Sequence, residues 1–252
     1  MQLHLKEWAE LPSTLLSIEN EEDRKEVTEK LIAQHPQIGG MLDSLQWMRK
    51  WTKTQDEQDP ANPYKHFPPE KDYHRILHLL WEREPVLFVE KSRTMMTSWW
   101  AVAECTHFVE THPPALGIFI AQDQDRAVKC IDYARVLWDQ QDEWLKRAYP
   151  LARPLDQQMF TTLEWANGAQ LLALPGKDPD KIRGYHPWVI FFDEAAFIDR
   201  FAETYSAALF TKAKEILAVT TAHPGDFRDM TRTWVEEPVP REWLSPASAS
   251  IR

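Results

Sequence analysis

Four short apolar runs separated by helix-forming segments constrain the fold of this chain more than any other feature. The runs are VLFVEK (86–91), ALGIFIAQ (115–122), VIFFDEAAF (189–197) and EILAVTT (215–221). Runs of this length, rich in Val, Ile and Phe, are typical of strands buried on both faces of a parallel sheet. Because parallel strands need crossover connections, the alternation predicts an α/β fold with a mainly parallel central sheet flanked by helices.

Three other segments complete this pattern. FTTLEWANGAQLLALP predicts a hairpin with Asn167 and Gly168 at the turn. A helix is predicted from Thr97 to about Thr111. The segment 123–149 predicts a single long helix, whose first turn carries Asp residues suited to a helix N-terminus.

Residues 1–60 differ from the rest and predict a helical N-terminal extension with a linker. Within it, the stretches 21–35 and 41–54 each predict an amphipathic helix. We therefore expect an extension over 1–60, an α/β domain over 61–240 and a flexible tail over 241–252.

The formal net charge of −10 limits how the chain can bind nucleic acid. Phosphate neutralisation dominates such binding, so contact with DNA would need a local basic patch or another subunit. The 2 cysteines suit a reducing compartment and supply neither a disulfide framework nor a zinc site. The N-terminus lacks a signal-peptide pattern, and no apolar run approaches the ~20 residues that span a bilayer. We therefore expect a soluble cytosolic protein.

Two acids, Asp193 and Glu194, directly follow the buried run VIFF. Ligands of open α/β sheets bind at the carboxyl ends of the strands, where these side chains would lie. A strand-end Asp can hold Mg²⁺, usually through water, and a neighbouring Glu can polarise the water that attacks a phosphoanhydride. The alternative is a strand that ends in two solvated acids, and this segment alone does not decide between them.

The loop after the first apolar run has the outline of a phosphate-binding loop but contains no glycine. Set against the pattern G-x-x-x-x-G-K-[ST], Lys91 occupies the first glycine position and Met96 the second. Thr97 then occupies the lysine position, and Ser98 occupies the hydroxyl position.

Phosphate binding needs backbone N–H groups, a cation for the β- and γ-oxygens and a hydroxyl for Mg²⁺. Ser98 can supply the hydroxyl, and the N-terminus of the following helix can supply the amides. Lys91 is the candidate substitute cation, with Arg93 second. The alternative is an ordinary strand-to-helix turn with exposed basic residues. The candidate nucleotide-binding set comprises the loop and the strand-end aspartate: Lys91, Ser92, Arg93, Thr94, Met95, Met96, Thr97, Ser98 and Asp193.

The loop and the acids follow different strands of the same predicted sheet. Three strand-like segments lie between Ser98 and Asp193. This order is consistent with a P-loop NTPase of the additional-strand class, with Ser98 and Asp193 as the Mg²⁺ ligands.

Four segments resemble those of bacteriophage terminase large subunits in sequence and order: VEKSRTMMTSWW, AQDQDRAVKCIDYARVLW, KIRGYHPWVIFFDEAAFI and ILAVTTAHPG. The resemblance covers about residues 47–235 and implies the N-terminal ATPase domain of a DNA-packaging motor. One branch of that family carries the loop lysine at the first position, as Lys91 does here. Most members retain a glycine where this chain has Met96.

This resemblance implies roles for individual residues. Lys91 and Arg93 would bind phosphates, Ser98 and Asp193 would hold Mg²⁺, and Glu194 would be the catalytic carboxylate.

A coupling motif and an arginine finger are also implied. Thr220 and Thr221 would sense the γ-phosphate, and Arg126 would act on the ATP of a neighbouring subunit. From the residues alone, strand-end hydroxyls and an exposed helix arginine remain the alternatives. The segment expected to contact adenine contains three aromatic residues, which could equally belong to the core: Tyr64, Phe67 and Tyr73.

A member of that family would hydrolyse ATP with Mg²⁺ and move double-stranded DNA into a procapsid in a bacterial host cell. Its partners would be the portal protein and the small terminase subunit, within a homo-oligomeric ring, although the isolated protein could be a monomer. No membrane partner is expected. The C-terminal nuclease domain and its activity are expected to be absent. An excised domain, a split gene and a truncated prophage remnant remain open.

Two rival interpretations remain. A catalytically weak assembly module would keep the fold and lose turnover, with Met96 and Thr97 as the lesion. A helicase-like P-loop motor would require further motifs beyond residue 252.

Overall fold

The computed structural model of the chain describes residues 9–35 and 38–232, so the expected tail over 241–252 lies outside the described residues. The N-terminal part contains α1 (Leu11–Leu16), α2 (Glu21–Gln34), α3 (Gly39–Leu42), α4 (Ser44–Gln46), a π-helical turn (Trp47–Trp51), β1 (Thr54–Gln55), β2 (Tyr64–Lys65) and α5 (Tyr73–Arg83). The remainder contains β3 (Val86–Lys91), α6 (Thr97–Thr111), β4 (Leu116–Ala121), α7 (Gln124–Asp139), α8 (Glu143–Ala148), β5 (Thr162–Glu164), β6 (Gln170–Pro175), α9 (Pro179–Ile182), β7 (Val189–Asp193), α10 (Phe201–Phe210), β8 (Glu215–Thr221) and α11 (Asp226–Thr231).

The central sheet has six strands in the order β3-β8-β7-β4-β6-β5. All neighbours are parallel except β5, which pairs with β6 as the antiparallel hairpin predicted at Asn167 and Gly168. The mainly parallel sheet is therefore confirmed. Strand β8 lies between β3 and β7, so one strand separates the loop-bearing strand from the strand that ends in the two acids.

Helices cover both faces of this sheet, as the uniformly apolar strands predict. Alternate residues of β7 enter different clusters: Phe191 packs with α6 and α7, whereas Ile190 and Phe192 pack with α10 and α11. Each fully buried large apolar side chain contributes about 1.5–3 kcal/mol relative to an exposed one. This two-sided burial fixes the carboxyl ends of β3, β7 and β8 at one edge.

The predicted long helix over 123–149 is wrong in one respect, because α7 ends at Asp139 and α8 begins only at Glu143. Between them Gln141 is buried, where its amide accepts from Trp47 Nε1 at 3.0 Å and donates to Glu110 at 2.8 Å. A helix break allows this polar side chain to satisfy both partners.

The helix expected over 41–54 is also wrong, since this stretch forms α3, α4 and a π-helical turn. Asp43 is extended, and its carboxylate accepts from the Gln46 amide, which caps a new helix start. Met41, Trp47 and Met48 nevertheless pack in the same apolar cluster as Trp100 of α6.

No helix in the described ranges is long and apolar enough to cross a membrane.

Candidate active site

The loop from β3 to α6 adopts two left-handed backbone conformations without glycine. Thr94 has a φ of 66° and Met96 a φ of 54°. Met96 directly precedes the first turn of α6. Such a conformation costs an ordinary residue roughly 1–2 kcal/mol. The position aligned with the second glycine therefore keeps the backbone shape that glycine would favour, at a cost in strain.

The Ser98 hydroxyl donates to Asp193 Oδ1 at 2.7 Å. Ser98 lies in the first turn of α6, and Asp193 is the last residue of β7. Burial raises the pKa of the Asp193 carboxyl, and the hydrogen bond from Ser98 opposes that rise. The structure thus joins the two predicted Mg²⁺ ligands.

The Lys91 ammonium donates to Glu194 Oε1 at 2.8 Å. The side chain of Lys91 is 10% exposed and that of Glu194 is 28% exposed, so the pair lies at the edge of solvent. Glu194 itself has a left-handed backbone, with a φ of 47°. The sharp turn after β7 directs its carboxylate across the sheet edge toward β3 and β8.

The second oxygen of Glu194 is held by β8. Glu194 Oε2 accepts from the Thr221 amide at 2.9 Å and from the Thr221 hydroxyl at 3.0 Å. Burial favours the neutral acid, but hydrogen bonds from Lys91 and Thr221 outweigh it and lower the pKa of Glu194. Glu194 is therefore a carboxylate at neutral pH.

Thr220 links the same strand to the turn after the acids. Its buried hydroxyl accepts from the Ala196 amide at 3.1 Å and donates to the Thr221 carbonyl at 3.0 Å. A displacement of the turn at Ala196 would therefore reach β8 directly. Both threonines of the expected coupling motif contact Glu194 or the turn that follows it.

The donor set at this edge fits Mg²⁺. Magnesium takes oxygen ligands, keeps several waters and is commonly bound through one or two protein side chains and substrate phosphates. One hydroxyl and one half-buried carboxylate, Ser98 and Asp193, meet that requirement. Among the described residues no cluster of three His, Cys, Asp or Glu side chains offers a ready-made metal cage.

The strand order and this edge define the fold class. The chain has an α/β fold with a mainly parallel six-stranded central sheet flanked by helices. One solved structure similar to this chain is the large terminase ATPase domain of a Thermus phage. The sequence identity is 18% and the TM-score is 0.43, and the match covers 64% of this chain and 72% of that chain. The N-terminal domain of the DNA packaging ATPase from bacteriophage phi29 has 12% identity, coverages of 69% and 87%, and a TM-score of 0.45.

A third similar structure is the large terminase of a thermophilic bacteriophage in complex with ADP. It has 13% identity, 73% of this chain and 38% of that chain covered, and a TM-score of 0.37. No family model matches the sequence. No curated protein matches it either.

The other loop residues differ in exposure. Ser92, Arg93 and Thr94 are exposed, so their backbone and side chains can reach a ligand. Thr97 is 2% exposed, and its hydroxyl has no hydrogen-bond partner among the described residues. The residue at the P-loop lysine position is thus turned into the protein, and Lys91 is the cation that faces the acids.

Arg126 lies in the first turn of α7 and makes its hydrogen bonds with neighbouring residues of the chain. Its guanidinium donates to Gln122 at 2.7 Å and lies 3.7 Å from Asp123, and 56% of its side chain is exposed. An exposed arginine is compatible with action on a neighbouring subunit, so its role as a finger stays a prediction.

The aromatic residues expected near adenine have three different environments. Phe67 is 2% exposed and belongs to the core, whereas Tyr64 is 38% exposed. The Tyr73 hydroxyl donates to the Met95 carbonyl at 2.7 Å, inside the loop between β3 and α6. Sequence reasoning missed this contact, because nothing in the spacing of Tyr73 and Met95 indicates it.

Proposed function

We propose that the chain is an ATPase motor domain of the phage large-terminase type. It hydrolyses ATP with Mg²⁺ and drives double-stranded DNA into a procapsid. The observation that carries the ATPase proposal is the pairing of Ser98 with Asp193 beside the pairing of Lys91 with Glu194. The order of motifs that resembles terminases supports the packaging role.

Each residue has a task that follows from its position. The amides at the N-terminus of α6 and the Lys91 ammonium bind the phosphates, since helix N-termini favour anions. Ser98 and Asp193 would hold Mg²⁺, which neutralises charge on the β- and γ-oxygens when bound.

Glu194 orients the attacking water. A phosphate that draws Lys91 away would free Glu194 Oε1, while Thr221 keeps hold of Oε2. The freed oxygen can accept a hydrogen bond from water. The water oxygen bonds to the γ-phosphorus, the bond to the β–γ bridging oxygen breaks, ADP leaves with that oxygen, and the water proton passes toward Glu194 or phosphate.

The remaining parts of the proposal concern organisation. The extension over 1–60 precedes an ATPase domain over 61–240. The domain works in a bacterial host cell as a homo-oligomeric ring at the portal, with the small terminase subunit. Thr220 and Thr221 couple γ-phosphate loss to movement of β8, and Arg126 completes the ATP site of a neighbour.

A catalytically weak assembly module is the second candidate. The observations that favour it are the strained backbone of Met96 and the engagement of Lys91 with Glu194. Both would lower turnover if nucleotide could not offset them.

ATPase turnover with Mg²⁺ separates the two candidates. We expect Lys91→Ala and Glu194→Gln each to reduce turnover by ~10²-fold or more, as for loss of one catalytic interaction. Lys146→Ala is the matched control, because that lysine is also largely covered and paired with an acid, Glu143, but in α8. Equal rates for wild type and both site variants would indicate a contaminating activity and the inert module.

A further inference from the structure

The P-loop of this chain needs an external anchor, since its own backbone is disfavoured. Residues 91–98 contain no glycine, and Thr94 and Met96 are left-handed. For residues with a Cβ this region is less populated than the right-handed one. Without an additional interaction, the loop would relax toward right-handed or extended conformations. The backbone amides at the start of α6 would then no longer have the same orientation.

Met95 lies between the two left-handed residues, and its carbonyl accepts a hydrogen bond from the Tyr73 hydroxyl at 2.7 Å. This bond crosses 22 residues of sequence, from the first residue of α5 to the loop. One contact of this kind fixes the orientation of the peptide that joins Met95 to Met96. It therefore acts at the point where the backbone is least favourable.

The anchor is itself rigid. The Tyr73 ring packs edge-on against His74, with ring centroids 4.6 Å apart. His74 is 2% exposed and packs edge-on against the buried ring of Phe67 at 5.9 Å. Burial lowers the pKa of His74 to about 4, although a hydrogen bond to the Met95 backbone opposes that fall, so the ring is neutral at physiological pH and adds a second contact to the same loop residue.

We infer that Tyr73 is a positioning residue of the nucleotide site, whose hydroxyl holds the glycine-free loop in its binding conformation. This inference rests on the proposed ATPase function. Tyr73 would act through Met95 and Met96 and not by contact with ATP. Within the segment expected to contact adenine, the hydroxyl of Tyr73 is engaged with the loop backbone.

The inference predicts coupling between Tyr73 and Met96. Tyr73→Phe removes only the hydroxyl and should weaken binding of a fluorescent ATP analogue with Mg²⁺ by roughly tenfold, the worth of one such hydrogen bond. Met96→Gly removes the steric cost of the left-handed backbone. In Tyr73→Phe/Met96→Gly, most of the lost affinity should therefore return.

Tyr205→Phe is the matched control. Tyr205 is also a half-buried tyrosine, but it packs on Phe88 and Phe201 at the opposite face of the sheet. The Tyr205→Phe variant should bind the ATP analogue with wild-type affinity. Thermal unfolding of every variant shows that the affinities are compared between folded proteins. Wild-type affinity in Tyr73→Phe, or equal loss in the single and double variants, would overturn the inference.

A second measurement separates this inference from the proposed function. If the wild type binds no ATP analogue, the proposed function fails, and hydrogen exchange of the amides of residues 95–98 still tests the tether. Faster exchange in Tyr73→Phe than in wild type and Tyr205→Phe supports it. Identical exchange in all three overturns it.

Discussion

The ammonium of Lys91 lies 2.8 Å from Glu194 Oε1, so the cation expected to bind phosphate is paired with the carboxylate expected to orient water. In the absence of a ligand, the ion pair keeps the Lys91 ammonium from phosphate and Glu194 Oε1 from water. Partly buried ion pairs of this kind are costly to break by removing one partner alone. A phosphate that replaces the Glu194 carboxylate as the partner of Lys91 avoids that cost.

Ser98→Ala is expected to remove the magnesium dependence of nucleotide binding. The change deletes the hydroxyl that would bind Mg²⁺ and leaves the half-buried Asp193 carboxylate without its 2.7 Å donor. ATP-analogue affinity measured with and without Mg²⁺ checks this. Ser206→Ala, in the exposed part of α10, is the control and should keep the wild-type difference. A normal magnesium effect in Ser98→Ala would contradict the assignment.

Thr221→Val is expected to lower kcat by roughly tenfold and leave KM nearly unchanged. The hydroxyl bond to Glu194 Oε2 is lost, while the Thr221 amide bond remains. Tenfold corresponds to the lower end of the about 1.5–3 kcal/mol that one hydrogen bond to an ionised group contributes. Thr231→Val serves as control, since that hydroxyl bonds carbonyls of its own helix. A rise in KM at constant kcat would instead place Thr221 in binding.

Arg126→Ala is expected to affect turnover only where subunits meet. Its guanidinium contacts Gln122 and Asp123 and is largely exposed. Turnover per subunit should rise with protein concentration in the wild type. If the arginine acts in trans, turnover of Arg126→Ala at high protein concentration should be lower than that of the wild type by ~10³-fold or more. Nucleotide affinity of the dilute protein should not change. Arg147→Ala is the control, because Arg147 is another exposed helix arginine, and it should behave as the wild type. Wild-type behaviour of Arg126→Ala would contradict the finger assignment.

Glu110→Gln is expected to flatten the dependence of stability on pH. Burial in α6 raises the pKa of Glu110 from 4.5 to about 8, partly opposed by the hydrogen bond from Gln141. Between these values the folded state holds a proton that the unfolded state has lost. The free energy of unfolding therefore falls as pH rises from 4.5 to about 8, by up to roughly 1.4 kcal/mol per pH unit.

Denaturant titrations of Glu110→Gln between pH 5 and 8 test this window. The exposed Glu143→Gln should retain the wild-type slope. In both variants Glu215 still makes the free energy of unfolding fall with pH over a narrower range, because burial raises its pKa to about 7. An unchanged slope in Glu110→Gln would show that Glu110 is ionised in the folded protein.

Much of the fold follows from local pattern, because strands buried on both faces consist of nearly continuous apolar residues that are recognisable in the sequence. The bounds of β3 and α6 and the hairpin at Gly168 agree with the sequence expectation. The break before Glu143 does not follow from pattern, since it depends on buried partners of Gln141 distant in sequence.

The candidate site divides in the same way. Ser98 and Asp193 could be paired from motif order, since parallel strands bring their carboxyl ends together. The left-handed backbone of Met96 and its support by Tyr73 could not, because a glycine-free loop gives no local sign of its conformation. Tertiary contacts decide both.

A structure of the protein with Mg²⁺ and a non-hydrolysable ATP analogue tests the central claim most directly. The claim predicts the triphosphate between Lys91 and the N-terminus of α6, with Mg²⁺ at Ser98 and Asp193 and the Lys91 ammonium on phosphate instead of Glu194. An analogue bound elsewhere, or phosphates in place while Lys91 still pairs with Glu194, would contradict it.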